Sequence, residues 1–260
     1  VSPPELPRLR AEEISPRFTI TTPQGPREID AYSEEGLRVL GNLWTRSGWE
    51  HKASYRFNWL GVPVIQMPED VLVLQELLWQ VRPDVVVESG VAHGGALILY
   101  ASILELLGGG IAIGVDVEIR AHNREAMQSH PLAHRLRLIE GDSVAADTLA
   151  AVREQIGSAQ RVLVALDSNH SREHVRAELE AYAPLISPGS YLVVFDSVMA
   201  LVADAPRGEP GWASDNPLEA VREFLAEHPE FEWDPSWERI PGATYASGGF
   251  LRRSDSADRD

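Results

Sequence analysis

The chain has 260 residues, with 23 basic and 39 acidic side chains and a formal charge of −16 at pH 7. Hydrophobic residues make up 44% and charged residues 24%, the composition of a globular protein that needs no staples; the absence of cysteine excludes a disulfide framework, an iron–sulfur cluster, a thiolate zinc site and a cysteine nucleophile. The negative balance repels phosphate polymers and anionic lipid, no apolar run approaches the ~18–20 residues of a span, and no apolar leader is visible, so nucleic acid and membrane are not expected partners and a cytoplasmic location is expected.

Residues 1–30 are rich in proline and charge (SPPELPRLRAEEISPR) and read as an extended arm with little core of its own. Ser33 is a plausible N-cap for a helix over 33–49 that carries Leu37, Val39, Leu40, Leu43 and Trp44. A mixed aromatic segment, 51–68, leads to a second helix over Asp70–Val81, stopped by Arg82-Pro83. Then come five short apolar runs, each ending in an acid: DVVVE to Glu88, IAIGVD to Asp116, LRLIEGD to Asp142, RVLVALD to Asp167 and YLVVFD to Asp196. Continuous apolar runs suit strands covered on both faces of a parallel sheet, and the acids recur at nearly the ~30-residue length of one strand–helix unit. Amphipathic helices fit between them over Gly95–Leu107, Ser143–Ile156 and Arg172–Ile186. A helix over Pro217–His228 and strands over Phe231–Ile240 and Gly249–Arg252 complete the pattern. The expected fold is a doubly wound, mostly parallel, seven-stranded Rossmann-like α/β sheet with helices on both faces. Its expected divisions are an arm and helical lid or interface segment (1–68), the sheet domain (69–252) and a tail (253–260). In such a fold the five acids share the carboxyl edge, where ligands of open α/β sheets bind; the plain alternative is that acids simply end strands and cap helices.

The turn after the first strand reads Glu88-Ser-Gly90-Val-Ala-His93-Gly94-Gly95 and opens a helix whose N–H groups are free. A dinucleotide fingerprint would place glycine where Glu88 stands, and a carboxylate there repels pyrophosphate. It suits a cationic ligand instead, and S-adenosylmethionine carries an ammonium and a sulfonium. Asp116 is placed for two ribose hydroxyls, Asp142 for the adenine amino group with Ser143 beside it, and His93 and Gly94 line the same turn.

The blocks VESGVAHGGALILYASIL, LDSNHSREHVRAELEAYAPLISPGSYLVVFDS and NWLGVPVIQMPED resemble the family of cephalosporin hydroxylase-like proteins and rhamnosyl or other sugar O-methyltransferases of natural-product biosynthesis. The resemblance covers roughly residues 50–200. It implies a methyltransferase fold, S-adenosylmethionine, a divalent metal, a sugar or glycosylated acceptor and a homo-oligomer. A hydroxylase is not supported, since no two-histidine-one-carboxylate iron set is evident.

Asp167-Ser-Asn-His170 follows the fourth strand and Asp196 the fifth, so their carboxylates can meet over the methyl donor. Oxygen ligands without cysteine select Mg2+ or Ca2+ at Asp167 and Asp196. Similar family members end the fifth strand with an acid pair; Phe195 stands in the first position here, and Ser197 is a candidate neutral substitute. His170 is the candidate base, because imidazole exchanges protons near neutral pH, unless it only caps the next helix. Asp167 can orient that base or serve as the base itself. His174 reads as a solvated helix residue. Gln66 and Asp70 are candidate cofactor contacts. In the long loop 200–217, Arg207 and Trp212 can cover a sugar ring or pair with a diphosphate. Tyr55, Phe57 and Trp59 read as core or subunit interface, or as cover for the ligands. The other readings are a non-catalytic cofactor-binding partner subunit, kept open by Phe195, and an NAD-dependent oxidoreductase, disfavoured by Glu88.

Overall fold

The computed structural model describes residues 17–255; the first sixteen residues of the expected arm and residues 256–260 of the tail lie outside the described residues. The rest of the arm is not merely extended. Strands β1 (Arg17–Thr22) and β2 (Gly25–Asp30) pair as an antiparallel hairpin, from which only Ile29 is fully buried. Helix α1 (Glu34–Glu50) follows, and Ser33 caps it by accepting the N–H of Gly36. The helical spacing is real, but its apolar residues face outward: Leu37, Leu40, Leu43 and Trp44 are exposed, while Gly36, Gly41, Thr45 and Gly48 are buried. Close approach explains this. A Cβ at Gly41 would stand 2.3 Å from the carbonyl oxygen of Pro241, and Thr45 donates its hydroxyl to the carbonyl of Gly242 at 2.7 Å. A second small hairpin, β3 (Phe57–Trp59) with β4 (Val62–Val64), leads into helix α2 (Pro68–Val81).

The apolar runs become β5 (Val85–Ser89), β6 (Ile111–Asp116), β7 (Leu136–Glu140), β8 (Val162–Leu166) and β9 (Tyr191–Val194). The closing strands are β10 (Phe231–Trp233) and β11 (Phe250–Arg253). The seven-stranded order is β10-β11-β9-β8-β5-β6-β7, with β5 to β9 parallel and β11 antiparallel to both its neighbours. The expected doubly wound sheet is therefore present. The expected strand 231–240 is cut short at Trp233, because Asp234 and Pro235 start a turn.

Helices α3 (Gly95–Leu107), α4 (Ala121–Gln128), α5 (Ala146–Ile156), α6 (Arg172–Tyr182), α7 (Met199–Val202) and α8 (Pro217–Glu227) complete the chain. Period-two alternation in the strands feeds two cores. Val86, Ala112, Leu163 and Val193 pack with α2 and α3 on one face; Val87, Ile113, Val164 and Val194 pack with α5, α6 and α8 on the other. Register fixes the rim. Ser89 pairs with Val115 and with Leu166, and Leu166 with Val194, so the residues that follow these four emerge side by side. Among the described residues no helix is long and apolar enough to cross a membrane.

Candidate functional site

A cavity of about 750 Å3 opens at that carboxyl rim. Four of the five strand-ending acids line it: Asp116, Asp142, Asp167 and Asp196. Gly90 forms part of its floor. This residue needs glycine, since its φ is +88° and a Cβ would stand 2.0 Å from the carbonyl oxygen of Asp167.

One end of the cavity is built by the loops after β6 and β7. Asp116 fastens the turn above β5: Oδ2 accepts the N–H groups of Val91 (2.8 Å) and Ala92 (3.3 Å), and Oδ1 accepts that of Glu118. Asp142 is exposed and accepts the N–H of Val144 on Oδ1. Ser143 is buried beside it, its Oγ 3.1 Å from His174 Nε2 and its carbonyl accepting the hydroxyl of Tyr182.

The other end holds Asp167, His170 and Asp196, each offering one ligand atom within 4.8 Å of the others. His170 Nε2 stands 3.1 Å from Asp196 Oδ2. Gln66 donates its amide to Asp167 Oδ2 at 2.9 Å. Burial, then the neighbouring carboxylates of Asp196, Glu88 and Glu178, holds the Asp167 carboxyl well above its ordinary range; burial also raises Asp196, against the opposing pull of His170. Asp196 itself has a left-handed backbone, φ +53°, which turns its carboxylate off the strand end.

The roof comes from distant segments. Trp49, Lys52 and Tyr55 meet Arg207 and Tyr245 over the cavity. Trp49 and Arg207 clasp each other, the guanidinium donating to the carbonyl of Trp49 at 3.1 Å and the indole N–H to the carbonyl of Arg207 at 3.5 Å. Trp212 does not line the cavity but packs edge-on against Trp49, with ring centroids 5.7 Å apart. The loop 200–217 is thus folded onto α1.

Several sequence expectations need correction. Glu88 does not reach the cavity. It shares the α3-facing side of β5 with Val86, is fully buried, and accepts the hydroxyl of Tyr100 on Oε1 at 3.0 Å, while Oε2 has no partner. Burial pushes its carboxyl up to about 8, so it is mostly neutral at pH 7 and no free anion waits there for a cation. Gly94 packs under Met127, and His93 meets Asn123 (3.4 Å); neither lines the cavity. Ser197 is no substitute ligand, because it is buried with its hydroxyl donated to the carbonyl of Tyr245, and Phe195 points into the core. Asp70 is also buried, bound by Thr244 and by the N–H of Tyr245. Trp59 joins the core, its N–H on Ser102, and neither it nor Phe57 lines the cavity.

His174 is not a solvated helix residue but part of the cavity wall. The signal was present in α6: Val175, Glu178, Leu179 and Tyr182 form its buried stripe, and a carboxyl in such a stripe needs a partner one turn away. Lys52 and Tyr245 carried no comparable signal, since loops from distant parts of the chain bring them in.

The family model described as rhamnosyl O-methyltransferase/CmcI matches residues 51–254. A rhamnosyl O-methyltransferase of Mycobacterium leprae (strain TN) is 31% identical over 251 residues, covering 93% of this chain and 99% of that protein. One of Mycobacterium tuberculosis (strain ATCC 25618 / H37Rv) is 30% identical over 239 residues, covering 88% and 87%. Among solved structures, a CmcI described as holding Mg and SAM is 20% identical, with a TM-score of 0.53 over 76% of this chain and 77% of that one, which is a likeness of fold. The match to the family model spans most of the chain and includes every residue of the cavity but Trp49, so the chain belongs to the rhamnosyl O-methyltransferase/CmcI family.

Proposed function

We propose that the protein is an S-adenosylmethionine-dependent O-methyltransferase that methylates a sugar hydroxyl, assisted by a divalent cation. The acceptor is a nucleotide sugar or a glycosylated natural product of an antibiotic or other secondary-metabolite route. The observation that carries this reading is one cavity with two distinct polar ends, Asp116, Asp142 and Ser143 at one and Asp167, His170 and Asp196 at the other. Four acidic side chains around one cavity suit a ligand bearing an ammonium and a sulfonium, and they disfavour the pyrophosphate of a dinucleotide. Asp116 and Asp142 retain lone pairs for ribose hydroxyls and the adenine amino group, and Gly90 lets backbone approach the ligand closely. When bound, S-adenosylmethionine supplies a methyl group already activated on sulfur, so the protein's main task is to align an acceptor oxygen with it.

The donor set also fits a cation. Two half-buried carboxyls and an imidazole converge within 4.8 Å; desolvation raises both acids and neighbouring carboxylates raise Asp167 further, a cost that a bound cation relieves. Asp167 and Asp196 would hold Mg2+ or Ca2+, which lends Lewis acidity to an acceptor hydroxyl. The hydroxyl proton passes to His170. With Nε2 facing Asp196, Nδ1 is the ring nitrogen left to accept it, and the Asp196 carboxylate then steadies the imidazolium. Gln66 keeps Asp167 aligned, and the Trp49–Arg207 roof limits water above the acceptor. The outward apolar face of α1 (Leu37, Leu40, Leu43, Trp44) is the surface this reading gives to a second copy of the chain in a homo-oligomer.

The test is transfer of label from methyl-labelled S-adenosylmethionine to a panel of nucleotide sugars and glycosides, with and without chelator. The expected outcome is a labelled sugar ether whose formation falls when the chelator is present. Tight binding of S-adenosylhomocysteine without transfer to any hydroxylated acceptor would show a cofactor-binding subunit instead of an enzyme.

A further inference from the structure

Glu178 is a carboxyl with no solvent exposure, placed on the buried stripe of α6. Its Oε1 accepts the hydroxyl of Ser168 at 2.7 Å and lies 3.6 Å from His174 Nε2, while Oε2 is buried without a partner. The same His174 nitrogen stands 3.1 Å from Ser143 Oγ. These contacts run from the residue after Asp167 to the residue after Asp142, and Ser143, Ser168 and His174 all line the cavity.

The carboxyl decides the direction of the chain. An acceptor oxygen facing Nε2 favours the tautomer with the proton on that nitrogen. An N–H at Nε2 leaves Ser143 Oγ as the acceptor, so the hydroxyl hydrogen of Ser143 is free to turn into the cavity. Tyr182, further along α6, donates to the carbonyl of Ser143 at 3.0 Å, so one helix grips this residue at both backbone and side chain. Next to it Asp142 has Oδ1 occupied by the N–H of Val144, leaving Oδ2 as an acceptor. A hydrogen-bond donor and an acceptor thus stand side by side at the β7 end of the cavity.

This pair has a chemical complement. The strand order β5-β6-β7 sends a nucleoside whose ribose rests on Asp116 toward Asp142 and Ser143. Adenine presents a donor at N6 and an acceptor at N1, matching Asp142 and Ser143 in turn. Hypoxanthine presents an acceptor at O6 and a donor at N1, the reverse pattern. We infer that Glu178 and His174 form a relay that fixes Ser143 as a donor, so that Ser143 and Asp142 read the N1 and N6 edge of the cofactor's base and restrict the site to adenine. His174 and Glu178 are positioning residues in this scheme. The inference rests on the S-adenosylmethionine reading and adds the groups that enforce it.

Calorimetric titration of the full chain with S-adenosylhomocysteine and with S-inosylhomocysteine, its deaminated analogue, tests the relay. The wild-type protein should prefer the adenine compound by roughly 100-fold or more, because the analogue mispairs both Asp142 and the buried Ser143. His174→Leu and Ser143→Ala should each shrink that ratio to about tenfold or less, chiefly by weakening the adenine compound, whereas His174→Gln, which restores an N–H near the Nε2 position, should recover most of it. A purely structural role for His174 would weaken both ligands alike and leave the ratio intact. If the wild type binds both compounds equally, or if Ser143→Ala keeps the full ratio, the relay is overturned while the methyltransferase reading stands. If the folded wild type binds neither compound, both inferences fall together.

Discussion

Desolvation raises the carboxyl of Glu88 under the first turn and those of Asp167 and Asp196 at the rim, yet the two regions behave differently. Under the first turn, Glu88 sits among the side chains of α3 with Tyr100 as its partner and no path to the cavity. At the rim, Asp167 and Asp196 are only half-buried and line an open cavity, with His170 Nε2 3.1 Å from Asp196 Oδ2. Burial alone makes a neutral acid that serves packing. Burial beside an opening makes an acid that can exchange a proton or take a cation. The strand pattern that ends every run in an acid looks uniform, yet side-chain direction at the last residue divides these groups by role.

The contrast can be tested at both places. The largest effect is expected at the rim: Asp167→Asn keeps the shape and removes the charge, and turnover in the label-transfer assay should fall roughly a hundred- to ten-thousandfold. Survival of ordinary turnover would mean that the rim is no more chemical than the site below. The smaller effect is expected at Glu88. Its carboxyl titrates near 4.5 when unfolded and about 8 when folded, so between those values the folded state holds a proton that the unfolded state releases, and stability must fall as pH rises through that window. Chemical denaturation across pH 4 to 9 should show Glu88→Gln matching wild type at the acid end. It should gain on wild type toward the alkaline end, reaching a few kcal/mol. Parallel curves would show that Glu88 is already ionised in the fold. Asp70, raised to about 7 by burial, works in the same direction and sets the slope that remains in the variant.

The parallel strands were legible in the residues because a strand covered on both faces must be apolar throughout, and β5 to β9 fall within the expected runs except that β5 extends one residue further, to Ser89. Helix α4 was not foreseen, since Ala121–Gln128 is polar and buries only Asn123 and Met127, leaving little periodic signal. The hairpins β1–β2 and β3–β4 were missed as well: the first buries a single side chain, and the second is only three residues long in each strand. At the site, the rim acids were readable from their phase along the chain. The inward turn of Glu88 was readable too, from its alternation with Val86, but the glycine pattern around it outweighed that cue. The roof was not readable, because Trp49 and Arg207 meet across 158 positions of sequence through two backbone carbonyls that any residue type could supply.

Asp196 occupies a backbone region that suits glycine, at φ +53°, and its side chain is held above its usual protonation range. Both conditions oppose folding, and replacement by glycine would relax both at once. Asp196→Gly should therefore raise the melting temperature by a few degrees while silencing the enzyme, a divergence that scanning calorimetry and the label-transfer assay would show together. Selection for heat resistance alone would drive this position away from aspartate, and only selection for turnover would hold it there.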